Sequence, residues 1–233
     1  MSAATAPQKL AAEGLGTAFL LAAIVGSGIM AERLAGENMA LALLANTLPT
    51  SAMLVVLITM LTPISGAHLN PAVSLVFFLR RDIGSRDAMA YVAAQVVGAL
   101  FGVLIAHGMF EQPLMQVSAK PRSGFAQAFS ECVATFGLVT TILLTLRAKP
   151  QAVAMSVGLY ITAAYWFTAS TSFANPAVTI ARTMTDTFTG IRPDAAAGFV
   201  AAQLAGAIGA LVVAQALTPR SMTTHKPENA HAE

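Results

Sequence analysis

A short motif occurs twice in this chain, each time within a longer matching stretch. Residues 70–75 read Asn-Pro-Ala-Val-Ser-Leu, and residues 175–180 read Asn-Pro-Ala-Val-Thr-Ile. A second pair of matching stretches lies further along, at residues 91–100 and 199–208. An internal repeat of this kind predicts two halves of similar structure. The motif residues are Asn70, Pro71, Ala72, Asn175, Pro176 and Ala177.

Long apolar stretches occupy most of the remaining sequence. A helix that crosses a bilayer needs about 20 mostly apolar residues. We predict six such helices, near Leu10–Met30, Met39–Leu61, Ala88–Gly108, Gly124–Leu146, Gln151–Ser170 and Ala195–Leu217. The composition agrees, because 56% of the residues are apolar and 10% are charged, whereas soluble domains have about 25% charged residues.

The two segments that start at the repeated motif, Asn70–Leu79 and Asn175–Met184, are apolar but too short to cross a bilayer. Lipid cannot satisfy the free backbone groups at the ends of a short helix, so such a helix at membrane depth must be enclosed by protein. We therefore predict two re-entrant half-helices. Each repeat then has three spans and one half-helix, so the second repeat is inverted relative to the first, an arrangement typical of a solute site at the midplane.

These elements predict an all-α polytopic membrane protein with one channel domain at residues 10–217. The first repeat covers about residues 10–108 and the second about residues 124–217. We expect residues 1–9 to form the N-terminus and the polar residues 218–233 to be a disordered tail. Six spans place both ends on one side, which also carries more lysine and arginine, so the positive-inside rule predicts that both termini are cytoplasmic.

The repeated motif has a direct chemical meaning. Asparagine is a favoured N-cap and proline is favoured at the first helical position, so each motif starts a helix. Two helices entering from opposite faces would bring their positive dipole ends together near the membrane centre. Asn70 and Asn175 can each offer an amide donor there. The motifs thus predict a constriction that hydrogen-bonds neutral solutes and repels cations and protons.

Two loops resemble those of a known family. Residues 65–73, Ser-Gly-Ala-His-Leu-Asn-Pro-Ala-Val, and residues 172–177, Ser-Phe-Ala-Asn-Pro-Ala, are similar to the signature loops of the aquaporin and aquaglyceroporin (major intrinsic protein) family. The resemblance extends over about residues 10–217. It implies six helices and two half-helices in the lipid bilayer, one pore per subunit and usually a homotetramer. We predict a location in a bacterial inner (plasma) membrane.

The resemblance assigns roles to three titratable residues. Glu13 and Glu131 match the family's buried glutamates, which accept hydrogen bonds from the re-entrant loops. A charged group inside a membrane is costly and needs such partners. A proton relay is the alternative, but one glutamate in each half provides no chain of titrating groups. His68 resembles the loop histidine whose segment supplies carbonyl groups to the pore.

The family's outer selectivity filter has four positions, which counting along the sequence assigns to Thr50, Ala163, Ser172 and Val178. Family members usually carry arginine at the last position and a large aromatic residue at the first. Small or medium uncharged residues here predict a wider and less polar filter. Arg182, four residues after Val178, lies on the same helical face and is a candidate for the outer vestibule, where it would partly replace the missing charge. Asp186 could pair with it.

The predicted function is passive passage of small uncharged solutes. Residues 175–191 resemble a bacterial subgroup associated with arsenic-resistance operons, which implies arsenite, as neutral arsenous acid, and related metalloids. Glycerol and water remain open as solutes, and a general glycerol and water facilitator is one alternative. A proton- or ion-coupled transporter would need charged residues along the path. A non-conducting structural protein of the same fold is the third alternative.

Several classes of function are not expected. We find no nucleophile–base pair, metal cluster or phosphate loop, so we expect neither an enzyme nor a cofactor. A net charge of +2 without a basic run gives no reason to expect a nucleic-acid partner. Cys132 is the one cysteine, which excludes an internal disulfide, and we interpret it as a small packing residue.

Overall fold

The computed structural model describes residues 4–218, and helices account for most of them. In chain order the α-helices are α1 (Ala6–Ala35), α2 (Met39–Ser65), α3 (Pro71–Leu79), α4 (Ser85–Met109), α5 (Phe125–Ala148), α6 (Val153–Phe167), α7 (Pro176–Ala181) and α8 (Pro193–Leu217). Short 3-10 turns precede α6 and follow α7. No residue in this part of the chain lies in a β-strand, so the predicted all-α architecture is confirmed.

Five helices are long and apolar enough to cross a membrane: α1, α2, α4, α5 and α8. The sixth predicted span corresponds to α6, which has 15 residues. A 3-10 turn at Pro150–Ala152 leads into it, and the backbone becomes extended at Thr168, so the helix stops short of the predicted end at Ser170. That early stop leaves residues 168–175 free to form the second re-entrant loop.

The two ends of the chain differ in how far the structure describes them. Helix α1 begins at Ala6, earlier than predicted, because the Gln8 side chain accepts a hydrogen bond from the Thr5 backbone N–H at 2.8 Å and caps the first turn. The predicted disordered tail at residues 218–233 lies, apart from Thr218, outside the described residues.

Small residues allow the long helices to cross closely in each half. A Cβ at Gly98 of α4 would collide with the Gly14 carbonyl of α1. In the second half, a Cβ at Gly206 of α8 would collide with the Cys132 carbonyl of α5. Close backbone approach through glycine is a common means of packing helices in membranes. The backbone of Cys132, the residue predicted to be a small packing residue, lies at this helix crossing.

The half-helices α3 and α7 lie inside the bundle and contact each other. Their first turns are buried, with Ala72 and Ala177 fully enclosed. The outer surface carries large exposed apolar residues on every long helix, such as Phe19, Val97, Phe129 and Val212. A soluble protein would not expose so much apolar surface, so these faces are suited to lipid.

Candidate functional site: the half-helix junction and its cavity

The two motif asparagines cap the half-helices. The Asn70 Oδ1 atom accepts a hydrogen bond from the Ala72 N–H at 2.9 Å. The Asn175 Oδ1 atom accepts from the N–H groups of Ala177 and Val178, at 3.0 and 3.3 Å. Proline is the first residue of each helix, where its missing N–H costs nothing. Both helices therefore start at the predicted residues.

The same asparagines join the two halves to each other. The Asn70 Nδ2 atom donates to the Ala174 carbonyl, and the Asn175 Nδ2 atom donates to the Leu69 carbonyl, both at 2.8 Å. An amide nitrogen has two hydrogens, so each side chain has a second N–H available. Both asparagines line the central cavity, and these second hydrogens are the donors that a solute can meet.

Glu13 holds the first re-entrant loop. Its carboxylate accepts hydrogen bonds from the backbone N–H groups of His68 and Leu69 at 3.0 and 2.7 Å, and from the Ser65 hydroxyl at 2.6 Å. The Gln95 amide donates to it at 2.8 Å and also to the Ser74 hydroxyl at 3.0 Å. All four donors converge on a fully buried acid, as expected for a structural carboxylate.

Glu131 repeats this arrangement in the second half. It accepts hydrogen bonds from the N–H groups of Phe173 and Ala174, each at 2.9 Å, and from the Gln203 amide at 2.6 Å. Gln203 also donates to the Thr179 hydroxyl at 2.8 Å. Sequence reasoning missed the two glutamines, although Gln95 and Gln203 occupy the same place in the matching stretches at residues 91–100 and 199–208.

The re-entrant loops contain backbone conformations that most residues avoid. Ala67 and Leu69 have φ of 50°, and Ser172 and Ala174 have φ of 52° and 49°. Left-handed non-glycine residues cost about 1–3 kcal/mol each and persist where their surroundings hold them in place. The N–H groups that bind the two glutamates belong to the same loops. The carbonyl on the other side of each planar peptide must point away from the carboxylate, and these loops line the cavity.

His68 is buried within the first loop. Its Nδ1 atom lies 3.1 Å from the Ser74 hydroxyl, and its ring packs against Phe77 at a centroid distance of 4.5 Å. It lines the cavity. Within residues 4–218, no group of three histidine, cysteine, aspartate or glutamate side chains is placed to hold a metal ion.

One cavity of about 490 Å³ runs through the bundle past both motifs. The two re-entrant loops, residues 66–70 and 172–175, form a polar wall. Apolar side chains form the facing wall, among them Leu54, Ile58 and Val157. A solute with hydroxyl groups on one side and an apolar surface on the other would match both walls.

The structure places three of the four predicted filter residues on this cavity: Thr50, Ser172 and Val178. The prediction for Ala163 is wrong, because Ala163 lies on the exposed face of α6. Tyr165 lines the cavity instead, with its hydroxyl 3.4 Å from the Thr50 Oγ1 atom. The direction of the side chain rotates about the helix axis by about 200° over two residues. A counting error of two residues therefore moved the assignment from the inner face of α6 to its outer face.

Arg182 also reaches the cavity. It is buried, its Nε donates to the Thr189 carbonyl, and its guanidinium lies 3.3 Å from the centre of the Phe173 ring. The expected pair with Asp186 does not form, because the Asp186 carboxylate accepts a hydrogen bond from the Ala119 N–H at 2.8 Å. The side chain of Asp186 therefore holds the loop that precedes α5.

Sequence reasoning missed a second arginine, Arg122, in the loop before α5. Its guanidinium lies 5.3 Å from the centre of the Phe173 ring. It donates to the carbonyls of Gly190, Ser170 and Phe188 at 2.9 to 3.4 Å. These bonds join three loops: the one before α5, the one after α6 and the one before α8. Burial lowers the pKa of the Arg122 guanidinium below its usual value.

This fold and this cavity define a multi-pass helical membrane protein with two opposed half-helices around one internal passage. Comparison with known proteins identifies the family within this class. The family model described as "Major intrinsic protein" matches residues 1–152 and, in a second match, residues 145–233. The chain belongs to the major intrinsic protein family.

Individual relatives agree with this membership. The chain is 59% identical over 206 residues to the aquaglyceroporin AqpS of Rhizobium meliloti (strain 1021), which covers 88% of each chain. It is 31% identical over 157 residues to aquaporin NIP6-1 of Arabidopsis thaliana, covering 65% of this chain and 50% of the relative. Its fold is similar to the X-ray structure of the aquaglyceroporin from Plasmodium falciparum, with a TM-score of 0.63, 23% identity and coverage of 91% and 95%.

Proposed function

We propose that this protein is a passive channel for small uncharged hydroxylated solutes, namely glycerol and arsenite in its neutral form, arsenous acid. Related metalloids and water, which is smaller, belong to the same class of solute. The observation that carries the proposal is the pair of Asn amides that face one cavity from opposite half-helices. A hydroxyl group of a passing solute can accept a hydrogen bond from an amide and donate one to a loop carbonyl. In glycerol, the carbon backbone can at the same time contact the apolar wall.

The filter is the part that sets the size of the solute. We assign it to Thr50, Tyr165, Ser172 and Val178, with Arg182 about one helical turn further out. Val178 is uncharged and lies where family members usually carry arginine. The narrowest section of the passage is therefore wider than in those members. The similarity to a Rhizobium aquaglyceroporin over most of both chains supports a solute larger than water.

Cations are excluded by charge rather than by size in this proposal. The half-helices point their positive ends into the junction, and the guanidiniums of Arg122 and Arg182 add positive charge beside the loop. A cation would also lose water that the apolar wall cannot replace. Neutral solutes have neither penalty.

The proposed setting is a bacterial inner membrane, with both termini in the cytoplasm and four copies in a tetramer. The basic residues Arg80, Arg81 and Arg86, between α3 and the first turn of α4, support this orientation. Native mass spectrometry in lipid would test the assembly, because a tetramer has four times the 24.0 kDa mass of one chain. A monomeric mass under the same conditions would contradict it.

Substitution of Val178 tests the filter assignment. In vesicles that contain the purified protein, we expect Val178→Arg to slow glycerol and arsenite entry by about 10-fold, equivalent to about 1.4 kcal/mol of barrier. Water entry should change much less. Val178→Ile, which adds bulk without charge, is the matched control and should reduce glycerol entry only modestly. If Val178→Arg and the wild type conduct all three solutes equally, Val178 does not form the filter.

A further inference from the structure

Two guanidiniums, that of the buried Arg182 and that of the half-buried Arg122, lie against one aromatic ring at the edge of the cavity. Arg182 lies 3.3 Å and Arg122 lies 5.3 Å from the centre of the Phe173 ring. Phe173 is itself buried, and its N–H donates to Glu131. Two positive charges are thus concentrated beside the second re-entrant loop.

These charges are only partly balanced. The ion pairs found between residues 4 and 218 are Arg80–Asp82, Lys120–Glu32 and Arg192–Asp194, and none of them includes Arg122 or Arg182. The nearby buried acid is Glu131, whose carboxylate binds loop N–H groups. Arginine is rarely buried without a counter-charge, because desolvation of the cation is costly. One carboxylate against two guanidiniums leaves one positive charge without a partner.

The two arginines differ in what they can still bind. Arg122 uses its nitrogens to hold the carbonyls of three loop residues, and it is therefore fixed. The Nε atom of Arg182 donates to the Thr189 carbonyl. Its two terminal nitrogens have no hydrogen-bond partner within the described residues, and Arg182 lines the cavity. The terminal nitrogens are therefore the donors that a molecule in the cavity can reach.

We propose that the outer part of the cavity binds a small singly charged oxyanion at Arg182, and that this anion blocks the passage of neutral solutes. The planar guanidinium offers two parallel donors that match two oxygens of a carboxylate-like group. A single negative charge balances the one unpaired positive charge. The blocking part of the inference rests on the proposed channel function, whereas anion binding by itself does not.

Nitrate is a suitable probe because it is planar and singly charged. Glycerol entry into vesicles would be measured in sodium nitrate and in sodium chloride of equal concentration, since chloride has the same charge without paired oxygens. At a nitrate concentration ten times the dissociation constant, we expect glycerol entry to fall about 11-fold, because only the unoccupied channels conduct. Chloride should inhibit much more weakly.

Variants locate the site. Whatever rate of glycerol entry Arg182→Gln supports, we expect that rate to be the same in nitrate as in chloride. Arg182→Lys keeps the charge without the planar fork and should need a higher nitrate concentration. Arg192→Gln is the matched control, because Arg192 is an exposed arginine paired with Asp194 at 2.7 Å. Nitrate should inhibit glycerol entry through this variant as strongly as through the wild type.

Thermal unfolding of the purified protein provides a measurement that does not depend on conduction. Nitrate should raise the unfolding temperature of the wild type above its value in chloride and should not do so for Arg182→Gln. If neither salt shifts the wild type and nitrate does not slow glycerol entry, the anion site is refuted. If nitrate stabilises the wild type but the vesicles admit no glycerol, the site stands and the proposed channel function fails.

Discussion

Replacement of Glu131 by glutamine should destabilise the protein because it removes an acceptor from a buried set of donors. The Oε1 atom accepts from the Phe173 N–H, and the Oε2 atom accepts from the Ala174 N–H and from Gln203. A glutamine has one acceptor oxygen and one donor nitrogen at these positions. At least one donor then faces an N–H group and loses its partner in a fully buried site.

The expected magnitude follows from these contacts. A buried donor left without a partner costs about 1–3 kcal/mol, and bonds to a charged acceptor are worth about 1 kcal/mol more than neutral ones. One lost bond, at about 1–3 kcal/mol, and the weakening of the two that remain, at about 1 kcal/mol each, give a loss of about 3–5 kcal/mol in the free energy of unfolding. For a chain of this size, that loss lowers the unfolding temperature by about 10 °C.

The measurement is thermal unfolding of Glu131→Gln in detergent, followed by glycerol entry into vesicles at a lower temperature. Glu13→Gln should behave similarly, because Glu13 holds the equivalent loop in the first half. Glu32→Gln, at an exposed position paired with Lys120 at 3.7 Å, is the control and should lie within about 0.5 kcal/mol of the wild type. If Glu131→Gln unfolds at the wild-type temperature, Glu131 does not hold the loop.

Two further changes test the filter and the helix crossing. Tyr165→Ala should widen the filter and speed the entry of polyols larger than glycerol. Ala163→Leu, on the outer face of the same helix, should leave solute entry unchanged. Equal effects of the two substitutions would contradict the placement of α6. Gly206→Ala should destabilise the protein by about 1–3 kcal/mol because the added methyl meets the backbone of α5, as thermal unfolding would show. Gly209→Ala, whose added methyl would meet only the ring edge of Phe136 at 3.6 Å, should be neutral or slightly stabilising; equal losses for both would refute the close crossing at Gly206.

Much of this fold could be predicted from the sequence because its determinants are local or repeated. The length of each apolar stretch predicts a span, and the Asn-Pro dipeptide fixes where α3 and α7 begin. The duplication predicts that the half-helices come in a related pair. Glu13 and Glu131 stand out because acids are rare within apolar segments.

The remainder depends on contacts between distant parts of the chain. No periodicity indicates that Arg122 lies against Phe173 and joins three loops, because these residues belong to separate loops. Whether Ala163 or Tyr165 faces the cavity depends on the rotation of α6, and a count along the sequence carries an error large enough to reverse the face. Asp186 follows Arg182 by four residues, but the helix ends between them, so helical spacing does not apply.

The central claim is passive conduction of neutral solutes, and the most direct test is the entry of glycerol and arsenite into vesicles at several imposed membrane potentials and pH gradients. A passive channel predicts entry well above that of empty vesicles, with a rate that is independent of potential and of the gradient. Entry no faster than in empty vesicles, or entry that follows the potential or the proton gradient, would contradict it.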